Sequence, residues 1–410
     1  MIPGISGRFR RPVFSAWRGR SWFSIPDRFL VFLLVAAAAV VGCIGWGGHV
    51  LALPLAMLFP ALWAGSKSRI TAAAVSAGYF LAASRGLPQS VATFFGTTVW
   101  AGILLWFAAS ISFVAVHAAL WSRRRRWIAI RYLIAVALMA IPPFGIVGWA
   151  HPITAAGVLF PGWGWWGLGA AVGGLAAMTM RLWPVATFVL ACAWLWSAMS
   201  WTFPSPPDQW QGIDTSLSAS LVQGNALDQH HALVELVLER ERAGAKVVVL
   251  PESTLGLLTP TVERFWTDAL AGRDVTVVAG GADIDPAGYD NVMVSAGARG
   301  ASVLYRSRMS VPVSMWQPWR AWLGESGGAG ATFFADPVVE VAGRRVVPLI
   351  CYEQLLVWPV LQSMLHRPDT IVAIANGWWA AGTSVAAIQR AATEAWARLF
   401  DLPLVTAFNR

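Results

Sequence analysis

Charge is scarce in this sequence: Asp, Glu, Lys and Arg make up 12% of its 410 residues, whereas apolar residues make up 57%. Ordinary globular chains carry roughly 25% and roughly 45–50% respectively, so a water-soluble fold throughout is excluded and the composition is that of a membrane protein. The deficit is confined to the first half, where apolar runs follow one another to about Phe203. Past Pro204, Pro206 and Pro207, charged residues return at globular density. Cysteine is also rare. Cys43 and Cys192 lie in apolar runs and Cys351 in the second half, so no pair suggests a disulfide and no Cys/His spacing suggests a metal. Lysine is nearly absent, with Lys67 and Lys246 its only occurrences. No cofactor is expected. The formal charge of +9 comes largely from arginines clustered beside the apolar runs, which fits membrane topology better than DNA, so direct nucleic-acid binding is not expected.

Residues 1–28 read as a basic cytoplasmic arm, with Arg8, Arg10, Arg11, Arg18 and Arg20 interleaved with Trp17 and Trp22. A bilayer core of roughly 30 Å takes about 20 helical residues. Over 29–203 that length predicts about seven transmembrane helices, near Phe29–Trp46, Val50–Ala64, Ile70–Ala83, Val91–Trp121, Trp127–Trp149, Ile153–Met178 and Leu182–Phe203. The break Pro161-Gly162-Trp163-Gly164-Trp165-Trp166 reads as an interfacial aromatic belt in preference to a re-entrant turn. With the N-terminus cytoplasmic, Lys67, Arg69, Arg123 to Arg126 and Arg181 all fall inside, and among loop charges only Arg85 falls outside. A linker over 204–214 then leads to a periplasmic domain over 215–410, and the chain is expected in a bacterial inner membrane.

In the second half, strands alternate with helices. Alternating Leu217, Ala219 and Leu221 predict a strand ending at Gln223-Gly224-Asn225, and 227–243 reads as an amphipathic helix whose His230-His231 pair is a solvated face. Buried strands follow at Val247–Leu250, Val275–Ala279, Ser302–Tyr305, Val346–Ile350, Ile371–Ile374 and Leu404–Phe408, with helices near Val262–Leu270 and Val385–Leu399. This pattern describes an α/β sandwich or doubly wound sheet, in which sites gather at the carboxyl ends of strands. Glu252, Cys351 and Asn376 all fall at such ends. Alone, Cys351 reads equally as core packing or as a nucleophile held still by its strand. Glu252 alone could start a helix, and Asn376-Gly377 alone could be a turn. Together the three residues favour catalysis.

The motifs Val222-Gln223-Gly224-Asn225, Leu250-Pro251-Glu252-Ser253, Tyr289-Asp290-Asn291, Ile350-Cys351-Tyr352-Glu353 and Asn376-Gly377-Trp378-Trp379, with Gln389 and Arg398 downstream, resemble the nitrilase, or carbon–nitrogen hydrolase, superfamily. Behind a multi-span region they resemble apolipoprotein N-acyltransferase. The resemblance implies a polytopic α-helical membrane domain followed by an α-β-β-α nitrilase-type domain, with Cys351 as nucleophile and Glu252 as general base. Asn376, Trp378 and Trp379 are the candidate substrate-binding residues. The lysine implied by the resemblance is missing, since Tyr305-Arg306-Ser307-Arg308-Met309-Ser310-Val311-Pro312 puts Ser307 at its position. Arg306 or Arg308 could supply positive charge, and Arg308 is the candidate replacement. A guanidinium cannot shuttle a proton. A second carboxylate usual after Pro312 is also missing, and Glu353 is the candidate support. The stretch Arg308 to Trp319 further resembles a family of plasmid conjugal transfer proteins. The conjugal-transfer resemblance implies other conjugal transfer proteins as partners, the N-acyltransferase resemblance implies a phospholipid or lipoprotein-like acyl substrate, and the apolar spans imply the lipid bilayer. A non-catalytic binding module with Trp316, Trp319, Trp322, Trp378 and Trp379 along a groove is the competing expectation.

Overall fold

The computed structural model describes residues 27–217 and 226–410. The arginine arm up to residue 26 and the strand end at Gln223-Gly224-Asn225 lie outside the described residues. In the first half the helices are α1 (Asp27–Gly45), α2 (Phe59–Ala64), α3 (Arg69–Ala83), α4 (Leu87–Phe95), α5 (Val99–Leu120), α6 (Arg125–Ala140), α7 (Ala156–Leu159), α8 (Gly164–Met178) and α9 (Trp183–Met199). Two of their stretches, Arg28–Gly45 and Val99–Leu120, are long and apolar enough to cross a membrane.

Several expected spans are interrupted where the sequence punctuates them. The run from Val91 is cut where Gly96 caps α4 in the left-handed conformation, with φ of 60°. The run from Ile153 comprises a 3-10 turn at Pro152–Ala155, then α7, then α8. Its break over 161–166 docks on the second half, where the Gly162 N–H donates to the Arg398 carbonyl at 2.7 Å and Trp165 meets Phe400 edge-on at 5.3 Å.

The second half is a sandwich of two sheets. The first holds β1 (Trp210–Gly212), β2 (Val247–Val249), β3 (Thr276–Ile284), β4 (Tyr289–Gly297) and β5 (Gly300–Arg306) in that order, with β1 to β3 parallel and β3 to β5 antiparallel. The second holds β6 (Val339–Val341), β7 (Arg344–Ile350), β8 (Thr370–Asn376) and β9 (Leu404–Asn409), with β7 to β9 parallel. The stretch expected as a linker thus carries β1, and β4 and β6 were not foreseen.

Successive strand residues face opposite sides. Val247, Val249, Ile350, Val372, Ile374 and Val405 meet between the sheets. Their neighbours Val248 and Leu250 turn outward beneath α10 (Ala226–Arg242) and α11 (Pro260–Ala269). Val347, Leu349, Ile371 and Ala373 turn the other way, toward a short helix α12 (Val357–Met364) and the long α13 (Val385–Phe400). Burial on both faces is why these strands read as unbroken apolar runs. The His230-His231 pair is not a solvated face throughout: His230 is buried, and its Nδ1 accepts from Trp266 Nε1 at 3.2 Å.

One core joins the halves. Ile388, Ala391, Ala395 and Leu399 of α13 share it with Trp46, Phe59, Tyr79 and Leu175. The approach of α7 to α13 is so close that a Cβ on Gly157 would sit 1.7 Å from the Ala395 carbonyl oxygen.

Candidate active site

Three strand ends converge. β2 runs through Leu250-Pro251 into Glu252, β7 ends at Ile350 immediately before Cys351, and β8 ends at Asn376. A 3-10 turn over Cys351–Leu355 begins at the cysteine, whose φ is 49°, and Ser253 beside Glu252 has φ of 61°. Left-handed backbone at non-glycine residues costs on the order of 1–3 kcal/mol and is held only by surrounding structure. Here the two positions are Cys351 itself and the residue after Glu252. Gly280 of β3 permits the approach, because a Cβ there would lie 2.5 Å from the Glu252 Cα.

Glu252 is 5% exposed, as is Cys351. Its Oε1 accepts from Asn291 Nδ2 at 2.7 Å and its Oε2 accepts from the Asn376 N–H at 2.8 Å. The Cys351 thiol is its neighbour in the same cavity, close enough for each to shift the other's pKa. Burial raises the Glu252 pKa, opposed by the Asn291, Cys351 and Asn376 hydrogen bonds. Burial and then the nearby Glu252 charge push the thiol well above its ordinary range. Gln389 on α13 donates to Sγ at 3.5 Å, which favours thiolate as it forms. Burial thus keeps the thiol protonated and places it next to a carboxyl group whose own pKa is raised, an arrangement in which a proton could pass between them.

Glu353 occupies a different environment. It is fully buried, and its Oε1 accepts from Tyr305 Oη at 2.7 Å, Ser307 Oγ at 3.2 Å, the Arg308 N–H at 2.6 Å and the Met309 N–H at 3.1 Å. Oε2 accepts from the Ile350 N–H at 2.8 Å. The carboxylate is an anchor that pins residues 305–309 to the turn carrying Cys351. Ser307, at the expected lysine position, is one of its donors.

Arg308 does not replace that lysine. It is 0% exposed, and its Nε donates to Tyr305 Oη at 2.9 Å. Nη1 donates to the Pro359 carbonyl at 2.9 Å, Gln362 Oε1 at 3.1 Å and Ser363 Oγ at 3.1 Å, while Nη2 reaches the Pro348 carbonyl at 3.3 Å. The guanidinium is consumed in tying α12 to β7, because burying a charge requires that its donors be satisfied. Arg306 is likewise committed, to Asp283 and Asp290.

Cys351, Glu252, Asn376, Trp378 and Trp379 line one cavity of about 480 Å³. Its second wall comes from the helical half: Leu87, Val91, Phe94, Phe95, Leu105 and Trp149. The site is thus polar at one end and apolar over the rest. Among the described lining residues no lysine or arginine occurs. Tyr352 fastens the two walls together by donating from Oη to the Ile146 carbonyl at 2.7 Å. Of the five tryptophans expected along a groove, Trp378 and Trp379 line the cavity, whereas Trp322 is 81% exposed and Trp316 packs on Phe333. Asn291 and Gln389 sat in recognisable motifs without an assigned task. Among the described residues no group of His, Cys, Asp and Glu could hold a metal ion.

Residues 81–398 match the family model for carbon-nitrogen hydrolase. The conjugal transfer protein TraB of Agrobacterium fabrum is 56% identical over 420 residues, with 100% of both chains covered. A probable conjugal transfer protein TraB of Sinorhizobium fredii is 56% identical over 377 residues, covering 92% of this chain and 97% of its own. Among solved structures, a carbon-nitrogen hydrolase of Helicobacter pylori G27 is 13% identical and covers 48% of this chain and 72% of its own, with a TM-score of 0.37.

Proposed function

The chain belongs to the carbon-nitrogen hydrolase family, and from that premise we propose that it is a membrane-embedded thiol enzyme serving plasmid conjugation, which transfers or hydrolyses an acyl group through Cys351. The observation that carries this reading is the joint cavity: an intact Cys351–Glu252 pair at its polar end and an apolar wall lent by the helical half. Pockets of roughly 300–1,000 Å³ with few polar groups suit ligands fixed by shape and oriented by a reactive end. An acyl chain from a phospholipid or lipoprotein-like donor matches that description.

In the reaction, Glu252 takes the thiol proton as Sγ attacks the acyl carbonyl. The leaving group departs with that proton, and a thioester remains on Cys351. An amine or water then attacks the thioester and gives its proton to Glu252, which passes it to the departing sulfur, so that the amide or acid is released and the thiol and carboxylate are restored. Neutral donors, without a lysine, must support the oxyanion, so the rate is expected to be modest. Residues 29–203 would cross a bacterial inner membrane about seven times, with the N-terminus cytoplasmic and the α/β half periplasmic. The two long apolar helices and the arginine clusters support this. Other conjugal transfer proteins would be partners, in keeping with the TraB relatives.

Mass analysis of detergent-extracted protein supplied with phospholipid tests the proposal. An acyl adduct on Cys351, missing from Cys351→Ala, is expected. No adduct, together with normal plasmid transfer by Cys351→Ala and Cys351→Ser, would end the catalytic reading. The alternative of a non-catalytic binding module draws on the lack of a cationic side chain in the cavity and on Ser307 being spent on Glu353.

A further inference from the structure

At the opposite end of the helical half lies a basin of about 450 Å³ lined by Lys67, Ser68, Arg69, Trp121, Ser122, Arg123, Arg124 and Arg131. The residues come from three places in the chain: the turn before α3, the turn after α5, and the second turn of α6. Residues 27–203 hold a single carboxylate, Asp27. Among the described residues, the guanidinium groups of Arg69, Arg123, Arg124 and Arg131 enter no hydrogen bond or ion pair. In the second half, by contrast, Arg306 pairs with two aspartates, and Arg390 and Arg410 pair with Asp214. Trp121 adds a second observation. It lines the basin, is 6% exposed, and its indole N–H has no partner among the described residues.

Loop cations beside an apolar run follow from topology alone. Topology does not require Arg131 in the second turn of α6, beyond the loop arginines, nor the convergence of two separate loops on one hollow. Four guanidinium groups around a shared space repel one another unless an anion joins them, and planar guanidinium forks match phosphate oxygens. The basin adjoins the end of α5, one of the two helices long enough to span a bilayer, so it lies where headgroups would be.

We infer that this basin binds the phosphodiester headgroup of an anionic membrane lipid, a site separate from the Cys351 cavity; the inference rests on the membrane reading above. Full-length protein in neutral detergent would be titrated with short-chain phosphatidylglycerol, with phosphatidylcholine of equal chain length, and with inorganic phosphate, following thermal stability and lipid retained in native mass spectra. Saturable stabilisation by phosphatidylglycerol is expected, with little effect of the other two. The double variant Arg123→Gln/Arg131→Gln should weaken it about tenfold or more, and Arg123→Lys/Arg131→Lys should largely retain it. Should the glutamine variant fail to fold, Arg69→Gln/Arg124→Gln serves the same purpose. Equal response to phosphatidylcholine, equal response to free phosphate, or unchanged affinity in both glutamine variants would each overturn the assignment. The membrane reading fails separately: carbonate washing of membranes would then release the chain, whatever the basin binds.

Discussion

The clefts around Glu252 and around Glu353 present the same group in two conditions. Both carboxylates are buried and both accept several donors, yet Glu252 opens on a cavity and meets a thiol, whereas Glu353 is enclosed by Tyr305, Ser307, Arg308, Met309 and Ile350. Saturation is what separates them. A carboxylate enclosed by five protein donors, as Glu353 is, has no open path by which a substrate could reach it. One that retains access to a thiol can cycle. The segment Ile350-Cys351-Tyr352-Glu353 thus carries the proposed nucleophile and an anchor two residues apart, and burial alone does not tell which carboxylate is which.

Four measurements test this contrast. Glu252→Gln should lower the rate of adduct formation on Cys351 by about 10²- to 10⁴-fold, the usual worth of a positioned base, with the fold retained. An unchanged rate would mean that Glu252 is no more a base than Glu353. Glu353→Gln should act through the fold instead, costing about 3–5 kcal/mol because it leaves buried Arg308 and several N–H groups without their anion. A drop in melting temperature would report this, and a variant as stable as the parent would refute the anchor. Arg308→Gln should also destabilise, by roughly 1–3 kcal/mol for lost buried hydrogen bonds. Per folded molecule, however, its adduct rate should stay within about twofold of the parent. A large rate loss in the folded fraction would return Arg308 to the oxyanion. Smallest of all is the pH effect. Since burial raises the Glu252 pKa and the base works ionised, adduct formation should fall as pH drops through a range above the ordinary carboxylate value. Glu252→Gln should lose that acid limb.

Much of this was legible in the residues themselves. Strands β2, β7, β8 and β9 announced themselves because burial on two faces leaves unbroken apolar runs, and polar residues at their ends marked Glu252, Cys351 and Asn376. The mixed pattern Tyr289–Gly297 hid β4, whose alternation is diluted by Asp290, Asn291 and Ser295. Arg308 misled for a physical reason: sequence gives the distance of a charge from a motif along the chain, but the register of 305–309 against Glu353 decides where the guanidinium points. The apolar wall was out of reach altogether, since Leu87 to Phe95 meet Cys351 only through tertiary packing.

That divided wall has a genetic corollary. The two linings of one cavity are encoded at opposite ends of the reading frame, so neither half can drift alone. Exchanging the helical half for that of a distant relative would juxtapose mismatched surfaces at Phe94 and Trp378, whose rings stack at 6.3 Å. A compensating change on one side of this seam should therefore rescue a lesion on the other, and the halves should be inherited as a single unit.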